Sequence, residues 1–456
     1  LLGHGGSGKT SLVDAMLFDT GAVNRLGKVD EGTSVADWDE EERRRQMSIN
    51  ATLVPCEWQN HKLNMVDTPG YMDFVGEVIS GVHVADAAVV VLDSVGGVEV
   101  GTEQVWNYAD ERKVPRLVFV NKMERENVDL NAVVDQVRIK FDLVAIPIQL
   151  PIGKQENLQG VVDLLTRKAY MGEKATASPI PEEMADAVEE ARMVLVEAAA
   201  EGEDALMEKY FETETLSEDE ILRGLKARMK RGTLVPVLCG SAAMNIGVQP
   251  LMRSIIQLLP SPIEAGPYPA KNLATNTEVE LACDAAGPLA MLVFKTIADP
   301  YVGKLSYFRV YSGTVESDSR VFNGRVREEE RLGQLYMIRG KEQTPMARVP
   351  AGDMAGVARL SETETGDTLC DRGMPLELPQ AEYPNPLFSV AITPKTKADA
   401  AKISPTLTRL SEQDPTLTWR QDTSTRETIL SGMGDTHINV AVRRMDETFS
   451  MSVETA

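Results

Sequence analysis

What the chain lacks narrows its class. No stretch of about 18 consecutive apolar residues occurs, so no segment reads as a membrane-spanning helix. The opening Leu1-Leu2-Gly3 carries neither an initiating Met nor a leader pattern, and the expectation is a soluble protein without its first residues. Cysteine is scarce: Cys56, Cys239, Cys283 and Cys370 lie far apart, in or near apolar stretches and without a CxxC pair, which argues against a disulfide framework or a zinc site. Reduced cytoplasmic thiols fit that usage. The histidines His4, His61, His83 and His437 show no metal-ligand spacing, and the last three read as structural or surface residues. Positive charge is also short, with Lys+Arg 47 against Asp+Glu 69 and a net charge of −22. That balance excludes general adhesion to DNA or to an anionic membrane, and any RNA contact must be local.

What is present is a long globular chain. With 456 residues and 43% hydrophobic content, two to four compact domains are expected. Four short β-rich apolar runs, 63–66, 87–92, 116–120 and 235–238, alternate with helix-length segments such as 76–84 and 102–111, the rhythm of a parallel α/β sheet. Between Pro147 and Gly232 the rhythm breaks for an inserted subdomain carrying acidic, amphipathic segments. The glutamates there read either as the solvated face of a surface helix or as a docking surface for a basic partner. Pro260, Pro262, Pro267 and Pro269, with a polar stretch to Asp284, read as a linker. After it come short alternating strands with turns at Asp299-Pro300, Ser312-Gly313, Asn323-Gly324 and Ala351-Gly352-Asp353, the pattern of a small β-barrel. From Tyr383 a strand, a helix, two more strands and a second helical start at His437 predict a compact α+β domain. The expected architecture is therefore multidomain α/β: a phosphate-loop domain over 1–265 with its insertion at about 147–232, a β-barrel over 285–378, and a small α+β, ferredoxin-like domain over 383–456.

Chemistry concentrates near the start. Gly3-His4-Gly5-Gly6-Ser7-Gly8-Lys9-Thr10 matches GxxxxGK[ST] and runs into a helical pattern with Leu12, Val13, Met16 and Leu17 on one face. Such a loop turns successive backbone N–H groups onto a β-phosphate, Lys9 neutralises β/γ oxygens, and the Thr10 hydroxyl ligates Mg²⁺. Asp67-Thr68-Pro69-Gly70 ends a strand, where a carboxylate holds the Mg²⁺ shell and the Gly70 N–H senses a γ-phosphate. Asn121-Lys122-Met123-Glu124 is close to the NKxD guanine-reading motif, and Ser241-Ala242 fits the last motif, in which a backbone N–H meets the guanine carbonyl. Each short motif is weak alone; their order, each at a strand end, selects GTP/GDP over ATP.

Together these motifs, with Asp37-Trp38 leading into Arg43-Arg44-Arg45-Gln46-Met47-Ser48-Ile49 and with Cys239-Gly240-Ser241-Ala242, resemble the guanine-nucleotide domain of elongation factor G. The likeness continues through Pro151-Ile152-Gly153 and Gly160-Val161-Val162-Asp163-Leu164 in the insertion, Gly366-Asp367-Thr368-Leu369-Cys370 in the barrel, and Pro394-Lys395-Thr396-Lys397-Ala398-Asp399 with Gly432-Met433-Gly434-Asp435 in the third domain. It implies a GTP-hydrolysing translation factor of translocation type, cytoplasmic and monomeric, whose partner is the ribosome through rRNA and stalk proteins. By the same resemblance Ser48 stands where a switch threonine completes the Mg²⁺ shell, and the family's two terminal domains are expected to be absent, since the chain stops at Ala456.

Two substitutions depart from the family pattern. Tyr71 replaces a histidine that orients the attacking water, and a phenol stays protonated at neutral pH and places its oxygen differently, which predicts slower hydrolysis. Glu124 replaces the last Asp of NKxD, and its extra methylene moves the carboxylate that pairs with guanine. A ribosome-associated regulatory GTP-binding protein with little turnover, or a ribosome-protection or release-factor relative, is the alternative. The Arg43–Arg45 cluster reads either as an RNA or phosphate contact or as the charged end of a loop pairing with Asp39–Glu42. Trp38 and Trp106 read as core or loop-anchoring aromatics.

Overall fold

The protein is described here from a computed structural model covering residues 1–299 and 303–455. The chain forms two compact units: Leu1–Ser48, Thr52–Gly70 and Ala85–Ser261 make the first; Ile49–Ala51, Tyr71–Val84 and Pro262–Ala456 make the second.

In the first unit, Ala88–Asp93, Arg116–Asn121, Leu234–Cys239 and Val144–Pro147 lie side by side in that order as a wholly parallel sheet. The first three are buried at every position, as parallel strands covered on both faces must be, which is why they read as unbroken Val/Leu runs. One expectation needs correction. The run 63–66 is a strand, His61–Asp67, but it pairs antiparallel with Thr52–Trp58 instead of joining the parallel set. A two-residue turn, Gln59-Asn60, with φ 47° and 63°, closes this hairpin in the mirror-image geometry that suits twisted strands. Residues 1 and 2 stand between hairpin and sheet: the Leu1 amine donates to the Val66 carbonyl at 2.7 Å, and Leu2 bridges Val90 in parallel. The fourth parallel strand, Val144–Pro147, is too short to stand out in the sequence.

The insertion contains a four-stranded antiparallel sheet, Gln149–Ile152, Gly160–Asp163, Lys168–Met171 and Thr176–Ser178, followed by helices Ala185–Ala200, Asp204–Thr213 and Glu218–Lys230. Its apolar faces, through Val162, Leu195, Leu206 and Leu225, join the core that holds Leu117, Phe119 and Ile146 of the parallel sheet. The last helix starts at a capping box between Ser217 and Glu220 and has acids in its first turn and bases in its last, the arrangement the helix dipole favours. Trp106 is a core aromatic, stacked on Phe141 at 3.9 Å with the Arg116 guanidinium 4.6 Å from its ring.

In the second unit the residues read as a linker are structured: a short helix, Pro262–Ala265, leads into a hairpin of Tyr268–Asn272 and Thr277–Leu281, to which Leu376–Glu377 adds a third strand. The barrel-type region is an eight-stranded antiparallel sheet whose strands share one core, from Met291 and Val293 through Phe308, Val321 and Leu335 to Val357 and Leu369. The predicted turn at Asp299-Pro300 falls partly outside the described residues. The last part is βαββαβ, with sheet order Thr418–Gln421, Thr428–Gly432, Phe388–Pro394, Val453–Thr455, the ferredoxin-like arrangement expected from the sequence.

The helix Val75–His83 packs within this second unit. The Glu77 carboxylate accepts from the Ala51 N–H at 2.7 Å and from Lys295 Nζ at 2.5 Å. Arg309, buried against the Tyr268 and Tyr311 rings, donates to the Val84 carbonyl at the helix end. His437 Nε2 lies 2.9 Å from Asp414, with side chains 5% and 17% exposed. Burial alone would raise the Asp414 carboxyl, but hydrogen bonds and charge from His437, with further bonds from Thr416, hold it at about 2, below the ordinary 3.8.

Removing that carboxylate in Asp414→Asn leaves the His437 ring buried without its anion, and the second unit is expected to lose about 2–4 kcal/mol at neutral pH, read from the denaturant midpoint. Because the unfolded carboxyl takes up its proton at higher pH than the folded one, the stabilisation is complete above about pH 4 and disappears as the pH falls towards about 2. A pH titration of stability in which the variant and the parent run parallel through that window contradicts the pairing.

Candidate functional site

The phosphate loop leaves the parallel sheet after Leu2 and enters the helix Lys9–Asp19. Its shape depends on glycine at Gly8, which has φ 92° and where a Cβ would stand 2.3 Å from Asn121 Nδ2. Gly70 is equally constrained by space: a Cβ there would meet Lys9 Nζ at 2.5 Å and the Gly5 nitrogen at 2.6 Å. The Lys9 ammonium is buried and donates to the Gly3 and His4 carbonyls, each at 3.0 Å. Burial lowers its pKa to about 8, against the pull of the Asp67 and Asp37 carboxylates.

Beside Lys9, Thr10 Oγ1 donates to Asp67 Oδ2 at 2.8 Å and lies 2.9 Å from Ser48 Oγ, so three side chains expected at a metal form one hydrogen-bonded chain. Asp67 Oδ1 and Asp37 Oδ2 are buried and have no hydrogen-bond partner among the described residues. Burial pushes the Asp67 carboxyl up, with Lys9 opposing, and pushes Asp37 up to about 8, with Glu42 and Asp67 adding to the effect. Two hydroxyls and two orphaned buried carboxylate oxygens make a hard-oxygen donor set that fits Mg²⁺. The sequence placed Asp37 in the segment leading to Ser48 but not among the metal ligands, because no spacing rule links it to Asp67.

The sheet's neighbouring strand ends build the second half of the site. Asn121 is buried; its Nδ2 donates to the Ser7 carbonyl of the phosphate loop at 3.0 Å and its Oδ1 accepts from the Ala242 N–H at 2.9 Å. Lys122, at φ 64°, sends Nζ to the Gly6 carbonyl at 2.5 Å and to Asp93 at 2.8 Å. Glu124 Oε2 is buried and has no hydrogen-bond partner among the described residues. A carboxylate oxygen in that state fits a ligand that brings N–H donors. At the last motif the Ser241 N–H is taken by Ile246 and the Ala242 N–H by Asn121.

Other expected residues are less closely assembled. Thr68 Oγ1 donates to the Leu1 carbonyl, Pro69 is buried, and His4 Nε2 sits 3.6 Å from Glu99. Tyr71 belongs to the second unit, starts the short 3₁₀ turn Met72–Phe74 and is 48% exposed. For Arg43–Arg45 the loop-pairing alternative has a structural counterpart: a six-residue helix, Glu40–Arg45, capped by Asp39, pairs Glu41 with Arg44 at 2.7 Å and with Arg45 at 3.0 Å.

Residues 1–261 match the family model of the elongation factor Tu GTP binding domain, residues 288–372 that of elongation factor G domain 2, and residues 383–456 that of elongation factor G domain III. A crystal structure of a protein from Thermus thermophilus is 32% identical, with a TM-score of 0.90, over 100% of this chain and 66% of that one. The chain therefore spans just under two thirds of that relative's length. With a GTP-binding domain of the elongation factor Tu type followed in order by domains 2 and III of elongation factor G, the chain belongs to the translational GTPases of the elongation factor G family.

Proposed function

We propose that this chain binds GTP with Mg²⁺ and hydrolyses it while acting on the ribosome in a translocation-type step of elongation. The observation that carries the reading is the base-reading end of the site, where Asn121 joins the phosphate loop to the loop after Cys239 and Glu124 holds a buried oxygen unpartnered. Guanine offers such a carboxylate two adjacent donors, its N1–H and 2-amino group, whereas adenine offers only its 6-amino group.

In this reading Gly3, His4, Gly5, Gly6, Ser7 and Gly8 wrap the phosphates with backbone N–H groups, and Lys9 leaves its two carbonyl partners for β/γ oxygens. Thr10, Ser48 and Asp67 hold Mg²⁺, which neutralises phosphate charge when bound. Thr68, Pro69 and Gly70 carry the γ-phosphate contact, and Asn121, Lys122, Glu124, Ser241 and Ala242 frame the base. Loss of the γ-phosphate releases the segments 37–49 and 67–74. Tyr71 places the attacking water. A neutral phenol holds water by hydrogen bonding but brings no positive charge to the phosphate oxygens, so turnover is slow. Its exposure supports a second reading, a regulatory ribosome-bound protein that keeps GTP as a ligand.

Three outcomes are expected. Fluorescent GDP and GTP bind with Mg²⁺ and are not displaced by ATP, and Lys9→Ala weakens them by about 100-fold, since a buried charged hydrogen-bond donor is lost; ATP competing as well as GTP removes the base-reading assignment. Glu124→Asp tightens guanine binding and sharpens discrimination against xanthine nucleotides by up to about tenfold, or roughly 1.4 kcal/mol. An unchanged affinity means the loop has adapted to the longer side chain. Tyr71→His speeds phosphate release, measured in single turnover with saturating ribosomes on the full-length protein, while the parent stays slow. Brisk parent turnover with no gain in the variant refutes the role of Tyr71, and no ribosome-stimulated release at all favours the regulatory reading.

A further inference from the structure

The strand Ala88–Asp93 ends level with Arg116–Asn121, and Asp93 is the register partner of Asn121. Its carboxylate is nearly buried and fully used. Oδ1 accepts from the Val95 N–H at 2.9 Å and the Gly96 N–H at 3.3 Å, which fixes the turn after the strand. Oδ2 accepts from Lys122 Nζ at 2.8 Å and Arg125 Nη1 at 3.2 Å. The two cations flank Glu124 in sequence, one before Met123 and one after Glu124, so a single oxygen grips both ends of the base-reading loop.

The rest of that loop is held from the same two sides. Ser94 Oγ donates to the Lys122 carbonyl at 2.7 Å, and the Met123 N–H donates to the Gly240 carbonyl at 3.1 Å. Lys122 adopts a left-handed backbone, a conformation that a non-glycine residue keeps only where its surroundings enforce it. Its Nζ also reaches the Gly6 carbonyl, so the Asp93 carboxylate is linked through one ammonium to the phosphate loop. Within this frame, Glu124 Oε2 is buried and has no partner among the described residues.

The geometry points to Asp93 as a positioning residue for nucleotide selectivity: through Lys122 and Arg125 it sets where the Glu124 carboxylate stands, and so how closely its oxygens approach a purine 2-amino group. The inference rests on the guanine reading of the site and deepens it. Neutralising Asp93 leaves two cations without their anion, frees both ends of the loop, and lets the Glu124 oxygens drift from the donors they must meet. A ligand without the 2-amino group loses less by that drift. Inosine diphosphate is such a ligand.

The test compares GDP with inosine diphosphate on the parent chain, on Asp93→Asn and on Arg125→Gln, by displacement of a fluorescent GDP in the presence of Mg²⁺. The parent is expected to prefer GDP; Asp93→Asn is expected to cut that preference about tenfold, and Arg125→Gln, a half-exposed side chain whose loss spares the strand end, about threefold. A residue that merely supports the fold weakens both nucleotides by one factor, so an unchanged preference in Asp93→Asn overturns the inference and leaves the guanine reading intact. If Asp93→Asn does not fold, Arg125→Gln decides in the same way. A parent that binds neither nucleotide overturns the guanine reading and this inference together.

Discussion

A buried amide side chain has to satisfy both its donor and its acceptor, and in this protein the one on Asn121 does so by joining two loops that are far apart in sequence. The sheet order makes this possible. Arg116–Asn121 lies between Ala88–Asp93 and Leu234–Cys239, so its carboxyl end faces the phosphate loop on one side and the Ser241 turn on the other. The requirement for glycine at Gly8 follows from the same bond, because a Cβ there would occupy the place of the Asn121 amide nitrogen. The phosphate half and the base half of the site are thereby one hydrogen-bonded object.

Electrostatics give that object its dependence on ligands. Asp37 and Asp67 each bury an unpartnered carboxylate oxygen close to the Lys9 ammonium, and Asp14, wholly buried on the helix Lys9–Asp19, is pushed up to about 6 by burial. Carboxylates held this way are costly until a cation or a proton neutralises them. A bound metal with its nucleotide removes that cost only in the folded state, so occupancy and stability of the first unit are linked. The overall acidity of the chain, −22, continues the same theme at the surface, where the helices of the insertion expose their glutamates and bury Val188, Leu195 and Leu206.

The two units are not consecutive pieces of chain. The backbone passes from the first to the second between Ser48 and Ile49 and again between Gly70 and Tyr71, directly after the residues that resemble nucleotide-sensing positions. The segment beyond Gly70 is then held by Lys295, Arg309 and His437 through contacts to Glu77, Val84 and Asp73.

The linear chain determined what depends on local chemistry and spacing. Glycines at fixed offsets before Lys9-Thr10, Asp67-Thr68-Pro69-Gly70 at a strand end, and the Asn121-Lys122 pair were legible because such motifs fix residue types at fixed offsets along the chain. The buried strands 88–93, 116–121 and 234–239 were legible because parallel strands covered on both faces leave continuous apolar runs. The antiparallel pairing of His61–Asp67, the short strand Val144–Pro147 and the hairpin at 268–281 were not, since pairing partners and register are settled by packing between segments, and prolines made the last of these look like linker. The buried, unpartnered oxygen of Asp37 and the part played by Asp93 were likewise invisible. Their significance lies in which neighbouring groups are already satisfied, and only the tertiary structure decides which buried oxygen is left over for a ligand.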